Sequence, residues 1–231
     1  MEIHKPKAVH GWRELINEIG VIIIGVLIAL SAEQAVEWVH WQNEVGDARE
    51  ALAMELGHDV GAAEFRFKDS ACIARRIAEL SDWSGRLRGG RATPLVGAIG
   101  GPGSYGMRTS SWEIVKTNQI ASHIPLGARL DYGRLYDLLE NFDAIQREDG
   151  DVWAGMQGFN AVRSLNESDL IRLDDLRDRA ARAELRLKAN MDLLRPIARK
   201  LGIATETLPD LLNGTARICH PILVGKVNSA G

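Results

Sequence analysis

The feature that most constrains this chain is the stretch WRELINEIGVIIIGVLIALSAEQAVEWVHW, residues 12–41. From Ile19 to Ala32 it carries no charge and is dense in Ile, Val, Leu and Gly. As a helix that segment rises only ~21 Å, short of a ~30 Å hydrocarbon core. The flanks complete the span, because a helix from Trp12 to Trp41 is ~43 Å long, close to the ~40–45 Å of a bilayer with its headgroups. Trp12 at one end and Trp38 and Trp41 at the other are the amphipathic rings that favour those interfaces. The stretch reads as one transmembrane anchor helix in contact with the lipid bilayer.

At ~100° per residue, Trp12, Ile16, Ile19, Ile23, Leu27, Leu30 and Trp41 share one broad face of this helix. Glu14, Glu18, Gly25, Ala29, Ala32 and Glu33 share the other. Gly25 and Ala29 form a small-xxx-small pair that permits close helix approach. Glu18 and Glu33 lie near the edges of the hydrocarbon, where carboxylates need water, a partner or a proton. The expected partner of this face is another transmembrane helix, from a second copy or from a subunit of a membrane complex; the alternative is that both glutamates snorkel into the headgroups and the small residues are incidental.

Lys5, Lys7 and Arg13 precede the span, whereas Glu33, Glu37, Glu44 and Asp47 precede the next arginine at Arg49. The positive-inside rule then puts residues 1–11 in the cytoplasm and residues 42–231 outside it, in the periplasm of a bacterium with two membranes. A cleavable signal peptide, cut near Ser31 and Ala32, is the rival reading. Against it, Glu14 and Glu18 sit where a signal peptide is basic, and the helical pattern runs on through the cut site.

EIGVIIIGVLIAL, residues 18–30, followed by AEQAVEWVHW resembles the anchor of uncharacterised bacterial single-pass membrane proteins of sphingomonad type, and similar anchors occur in Bacteroidetes. TSSWEIVKTNQI, residues 109–120, resembles a second recurring patch of those proteins. The resemblance implies an anchored helical domain and brings no catalytic residues with it.

Residues 42–231 are enough for one domain with its own core. A formal net charge of −3, with basic residues interleaved among acids, argues against nucleic acid as a partner. An aromatic content of 6% and an abundance of Ala, Leu, Arg and Glu favour helices. The expected fold is all-α, the anchor helix continuing into an antiparallel extracytoplasmic bundle.

Along the chain, Val45, Ala48, Leu52, Leu56 and Val60 extend the anchor helix out of the membrane, with Gly57 and Gly61 as weak points. Ile73, Ile77, Leu80, Trp83 and Leu87 make a second amphipathic face that either continues the helix or restarts after a bend near residues 68–70. Residues 89–108 are rich in Gly and Pro and read as a mobile surface loop. Gly101, Gly103 and Gly106 match G-x-G-x-x-G, but Pro102 and the helical context oppose a dinucleotide site. Ser110 and Glu113 suggest a capping box on a helix running to about Ala121. A long element follows from Leu135 to Phe159, its Trp153, Met156 and Phe159 reading as core. Ser168 suggests the cap of a helix over residues 169–194, with Arg172, Asp175, Arg179, Arg182 and Glu184 on its solvent side and Pro196 kinking or ending it. Gly202 suits a C-terminal cap, and residues 207–214 read as one more short helix.

His4, His10, His40, His58, His123 and His220 show no metal spacing, His58 with Asp59 and His40 with Glu37 or Glu44 reading as local ion pairs. No nucleophile elbow accompanies the serines near Ser110. No catalytic, cofactor or metal site is expected. In an oxidising compartment Cys72 and Cys219 are expected to form a disulfide stapling the apolar C-terminal tail to the bundle. The chain thus reads as a non-catalytic accessory or scaffold subunit, with a ligand-binding or sensory bundle as the alternative.

Overall fold

The structure is a computed structural model describing residues 11–162, 164–209 and 218–224, Glu14 by its backbone alone. Their regular structure is all helical, with no strand. Helix α1, Trp12–Phe67, is 56 residues long, or ~84 Å, and has no proline to interrupt it. None of its most apolar window is buried, and by length and composition it is a helix able to cross a membrane. From Val45 onward one side is covered: Val45, Ala48, Leu52, Leu56, Val60 and Ala63 are all buried. The same helix therefore supplies both the free apolar arm and one wall of the bundle.

The chain breaks at Lys68 and Asp69 and resumes as α2, Ser70–Arg88. After the glycine-rich segment come the short helices α3, Ser110–Thr117, and α4, Ile120–His123. Gln119, at φ 61°, turns the chain between them, so the helix expected to reach Ala121 is divided in two. Helix α5, Leu126–Gln157, continues into a 3₁₀ turn, Gly158–Ala161, and α6, Glu167–Lys200, runs back along it. Tyr136 meets Glu55 and Asp149 meets Arg66, so α5 advances in the same sense as α1. Lys200 meets Asp131 and Arg186 meets Glu148, which makes α6 antiparallel to α5.

Two apolar clusters stack along the bundle. The one near the anchor joins Leu52, Leu56, Trp112, Leu135, Phe142 and Leu187. The far one joins Ile73, Trp83, Ile99, Trp153, Met156 and Leu173 with Ile222 of the tail.

Caps differ in detail from the sequence reading. Thr109 rather than Ser110 stands at the cap of α3 and makes no side-chain capping bond, while the Ser110 hydroxyl, on the first helical residue, donates to Glu55. At the start of α6, Asn166 rather than Ser168 is the cap: its side chain accepts from the Asp169 amide, and Asp169 accepts from the Asn166 amide. Pro196 does not end α6, which continues to Lys200. Past the proline, Ala198 is buried and Ile197 packs against the core, so the last turn is held by tertiary contacts. The helix stops at Gly202, φ 70°, where Ile203 N donates to Ala198 O and Gly202 N to Arg199 O. Of the helix expected over 207–214, residues 207–209 are not helical and the rest lie outside the described residues, as does the tail 1–10.

Candidate functional site

Because α1 is uninterrupted, its rotational phase carries from the apolar arm into the bundle. At ~100° per residue, Val45, Leu52, Leu56 and Ala63 lie about half a turn from Gly25 and Ala29. The small face is therefore on the back of α1, away from the chain's own bundle, while Ile16, Ile23 and Leu27 lie on the bundle side. Glu18, Ala29, Ala32 and Glu33 are exposed, and a Cβ on Gly25 would meet nothing within 4 Å. Trp12 and Trp38 are exposed too, at 76% and 65%. Trp41 is half-buried, its indole stacked on His123 of α4 at 3.8 Å and 13°. His40 lies beside Trp41, at 5.3 Å, and among the described residues the Glu37 carboxylate is met by the Trp41 indole N–H.

Further along, a polar seam runs up the bundle from residues that sequence patterning places on the core face of α1. Glu55 accepts from Ser110 Oγ at 2.8 Å, from Ser111 N at 3.1 Å and from Tyr136 OH at 2.8 Å. Burial opposes its charge, but these hydrogen bonds outweigh burial and hold its pKa below the usual carboxylate value. One turn on, Asp59 is fully buried and takes the Arg108 amide at 3.0 and 3.1 Å. Burial, with the nearby charge of Glu55, pushes Asp59 up to about 7 against the relief that this amide supplies. The two carboxylates fasten the end of the glycine-rich segment to α1.

That segment is pinned along its length, contrary to the mobile loop expected for residues 89–108. Val96 N donates to Ile222 O, Ile99 N to Asn160 Oδ1, and Gln146 Nε2 to Tyr105 O. Ile99 is fully buried and Tyr105 packs edge-on against Phe65. A Cβ on Gly101 or Gly103 would crowd Trp153 or Phe65, so these glycines serve close packing against side chains. The G-x-G-x-x-G match has no strand before it.

Gly57 and Gly61 serve the opposite face. There residues 203–206 cross the back of α1 as a strap: Glu206 N donates to Gly57 O at 2.9 Å and the Glu206 carboxylate meets His58 Nδ1 at 3.1 Å. His58 therefore pairs with Glu206, not with Asp59. Beside the strap Met54, Glu55, His58, Arg108 and Glu206 line an open cleft of mixed polar and apolar surface.

Between the two apolar clusters Arg66 is buried, donating to Asp149 Oδ2 at 2.7 Å and to Glu184. Burial pushes both carboxylates upward while the guanidinium holds them down. Glu184, expected among the solvent-facing charges of α6, is thus turned inward. In the far cluster Arg76 is buried, bonded to Glu79 at 2.9 Å and to the carbonyls of Ala98, Ile218 and His220. Cys72 and Cys219 beside it form a disulfide, 147 residues apart in sequence. Ile218, Ile222 and Leu223 are buried by it, while Val224 points out.

Sequence patterning passed over Glu55, Arg66 and Arg76, and gave Asp59 the wrong partner in His58. The legible signal was their register: each falls at core spacing among apolar residues, which makes it a buried polar group needing a partner. Among the described residues, no three His, Cys, Asp or Glu side chains stand together as a metal site. No family model, no curated protein and no solved structure matches the chain.

Proposed function

We propose that the protein is a non-catalytic, single-pass accessory or scaffold subunit of an inner-membrane complex or homo-oligomer, its N-terminus cytoplasmic and its bundle periplasmic. The observation that carries this reading is the uninterrupted α1, whose small face at Gly25 and Ala29 points away from the chain's own bundle. A partner helix can run along that face without meeting α5 or α6, and the rigid connection fixes the bundle relative to it. The asymmetry of charge around the span supports the orientation, and the Cys72–Cys219 bridge suits an oxidising compartment. The polar seam supports a structural role, since its carboxylates are bonded to the chain's own amides, hydroxyls and guanidinium.

The test is native electrophoresis of membranes extracted in mild detergent. Gly25→Leu is expected to shift the assembly to a smaller species, and Ile23→Leu, on the opposite face, to leave it unchanged. Equal behaviour of the two variants defeats the proposed anchor contact. A compartment-specific reporter fused after Gly231 is expected to be active in the periplasm alone, and activity in the cytoplasm reverses the orientation.

A further inference from the structure

Helix α1 carries height as well as phase into the bundle, and together they state what lies beneath its near end. The Trp41 indole stacks on His123 at 3.8 Å, which places α4 level with Trp41. At ~1.5 Å per residue the rise from Val26, the middle of the apolar stretch, to Trp41 is ~22 Å, and half a bilayer with its headgroups is ~20–22 Å. The elbow formed by α4 and the start of α5 thus stands at the outer edge of the headgroups, with no stalk between. The bundle also lies on the side of α1 that carries Ile16, Ile23 and Leu27, half a turn from the small face. What the elbow overhangs is therefore the lipid-facing side of the anchor, and a partner helix on Gly25 and Ala29 passes behind it.

The elbow has the composition for that position. From residue 118 to residue 130 the chain holds no Asp or Glu but has His123 and Arg129, while Lys116 just before it is paired with Glu113 at 2.6 Å. Leu126 and Leu130, on the first two turns of α5, are 59% and 52% exposed. The C-terminal end of α6 brings the exposed Arg199 and Lys200 to the same end of the bundle, Lys200 reaching Asp131 at 2.6 Å.

We propose that this elbow, residues 118–130 with Leu126 foremost, is seated in the headgroup layer of the bilayer that α1 crosses, a lipid surface being its partner. The proposal rests on the reading of α1 as a membrane span. Leu126 then rests among the headgroups, Trp38 lies about one turn nearer the hydrocarbon along α1, and the cations meet lipid phosphates. The bundle is held at a fixed height by two contacts, the anchor and the elbow.

The test uses the full chain with its disulfide intact, reconstituted into phosphatidylcholine vesicles containing a minority of phosphatidylglycerol. Both native cysteines are bridged, so one introduced cysteine accepts an environment-sensitive fluorophore at Leu126→Cys or, as a second elbow position, Ser122→Cys. Val26→Cys reports the bilayer interior. Leu185→Cys, 70% exposed and beside Glu184 at the level of Arg66, reports bulk water. The expected result is blue-shifted emission at both elbow positions, quenching by headgroup-labelled lipid, and iodide quenching several-fold weaker than at position 185. If the elbow is as open to iodide as position 185 while position 26 is shielded, the seating is overturned and the anchor stands. If position 26 is equally open, the membrane span itself fails, and the seating with it.

Discussion

Replacing Gly61 with alanine should destabilise this protein, although helix propensity assigns the change the opposite sign. In an exposed helix interior Gly→Ala stabilises by about 1 kcal/mol, because glycine loses more backbone freedom on folding. A Cβ at Gly61, however, runs into the carbonyl oxygen of Glu206, a backbone atom that yields only if the strap moves. Moving it breaks the bond from Glu206 N to Gly57 O, worth about 1 kcal/mol net. It also loosens the half-exposed His58–Glu206 pair, worth up to about 1 kcal/mol. Uncovering part of Ile203, now 9% exposed, adds about 1 kcal/mol. The sum of about 2–3 kcal/mol exceeds the propensity gain, leaving a net loss of about 1–2 kcal/mol. Gly46 is the internal control, since it lies in the same helix and a Cβ there meets nothing within 4 Å. Gly46→Ala should raise the thermal midpoint of the full chain in detergent, followed by circular dichroism at the helical band, and Gly61→Ala should lower it. A rise in both would show that the strap is not held against α1 and that propensity alone governs the helix.

At Gly57 the same substitution places a Cβ 2.6 Å from Ala204 O, so Gly57→Ala should also lower the midpoint and speed proteolysis of the strap. Asp59 titrates near 7 when folded and near 3.8 as a free side chain, so the folded protein holds a proton that the unfolded chain releases between those values. Stability should therefore decline as pH rises from about 4 to about 7, and Asp59→Asn should flatten that decline, by an amount of up to about 4 kcal/mol; an unchanged pH profile in denaturant titrations would refute the assignment. Cys72→Ser opens a loop of 147 residues, for which chain entropy sets a loss of at most about 5 kcal/mol. Denaturant midpoints of the variant and of the reduced wild type should fall together, and a midpoint insensitive to reduction would mean that the tail contributes nothing to the fold. Glu184→Gln leaves the buried Arg66 with Asp149 as its charged partner, and should cost less than Arg66→Ala, which strands a buried carboxylate. The reverse order would show that Glu184 is the dominant partner.

Helices were legible where one periodic face persists. Leu170, Leu173, Leu176, Ala180, Ala183, Leu187, Met191 and Leu194 sit at spacings of three and four, and all are buried in α6. Between α1 and α2 the pattern allows either a continuous helix or a bend near residues 68–70, and the structure has the break, Phe67 ending one helix and Ser70 starting the next. The end of α6 was less legible. Proline chemistry argues for a stop at Pro196, yet packing of the following turn carries the helix to Lys200 and Gly202 ends it.

What the sequence by itself determined is the helical class, the apolar arm and its two faces, because these depend on the order of residues within one helix and on a period of 3.6. What only the tertiary structure decided is where distant segments meet. The glycine-rich segment has no periodicity, so nothing local reveals that Asp59 holds Arg108, that Asn160 holds Ile99, or that Ile222 holds Val96. Gly57 and Gly61 show the same division, being weak helix formers by propensity and the floor under a strap nearly 150 residues later in the chain. Glu184 reads locally as a solvent-facing charge, and the register of Arg66 shows that it needs a partner without showing which; Arg66, Asp149 and Glu184 meet only once α1, α5 and α6 are side by side. Local propensity acts over a few residues, whereas the partner of a buried polar group is whatever the packed chain brings within hydrogen-bond distance.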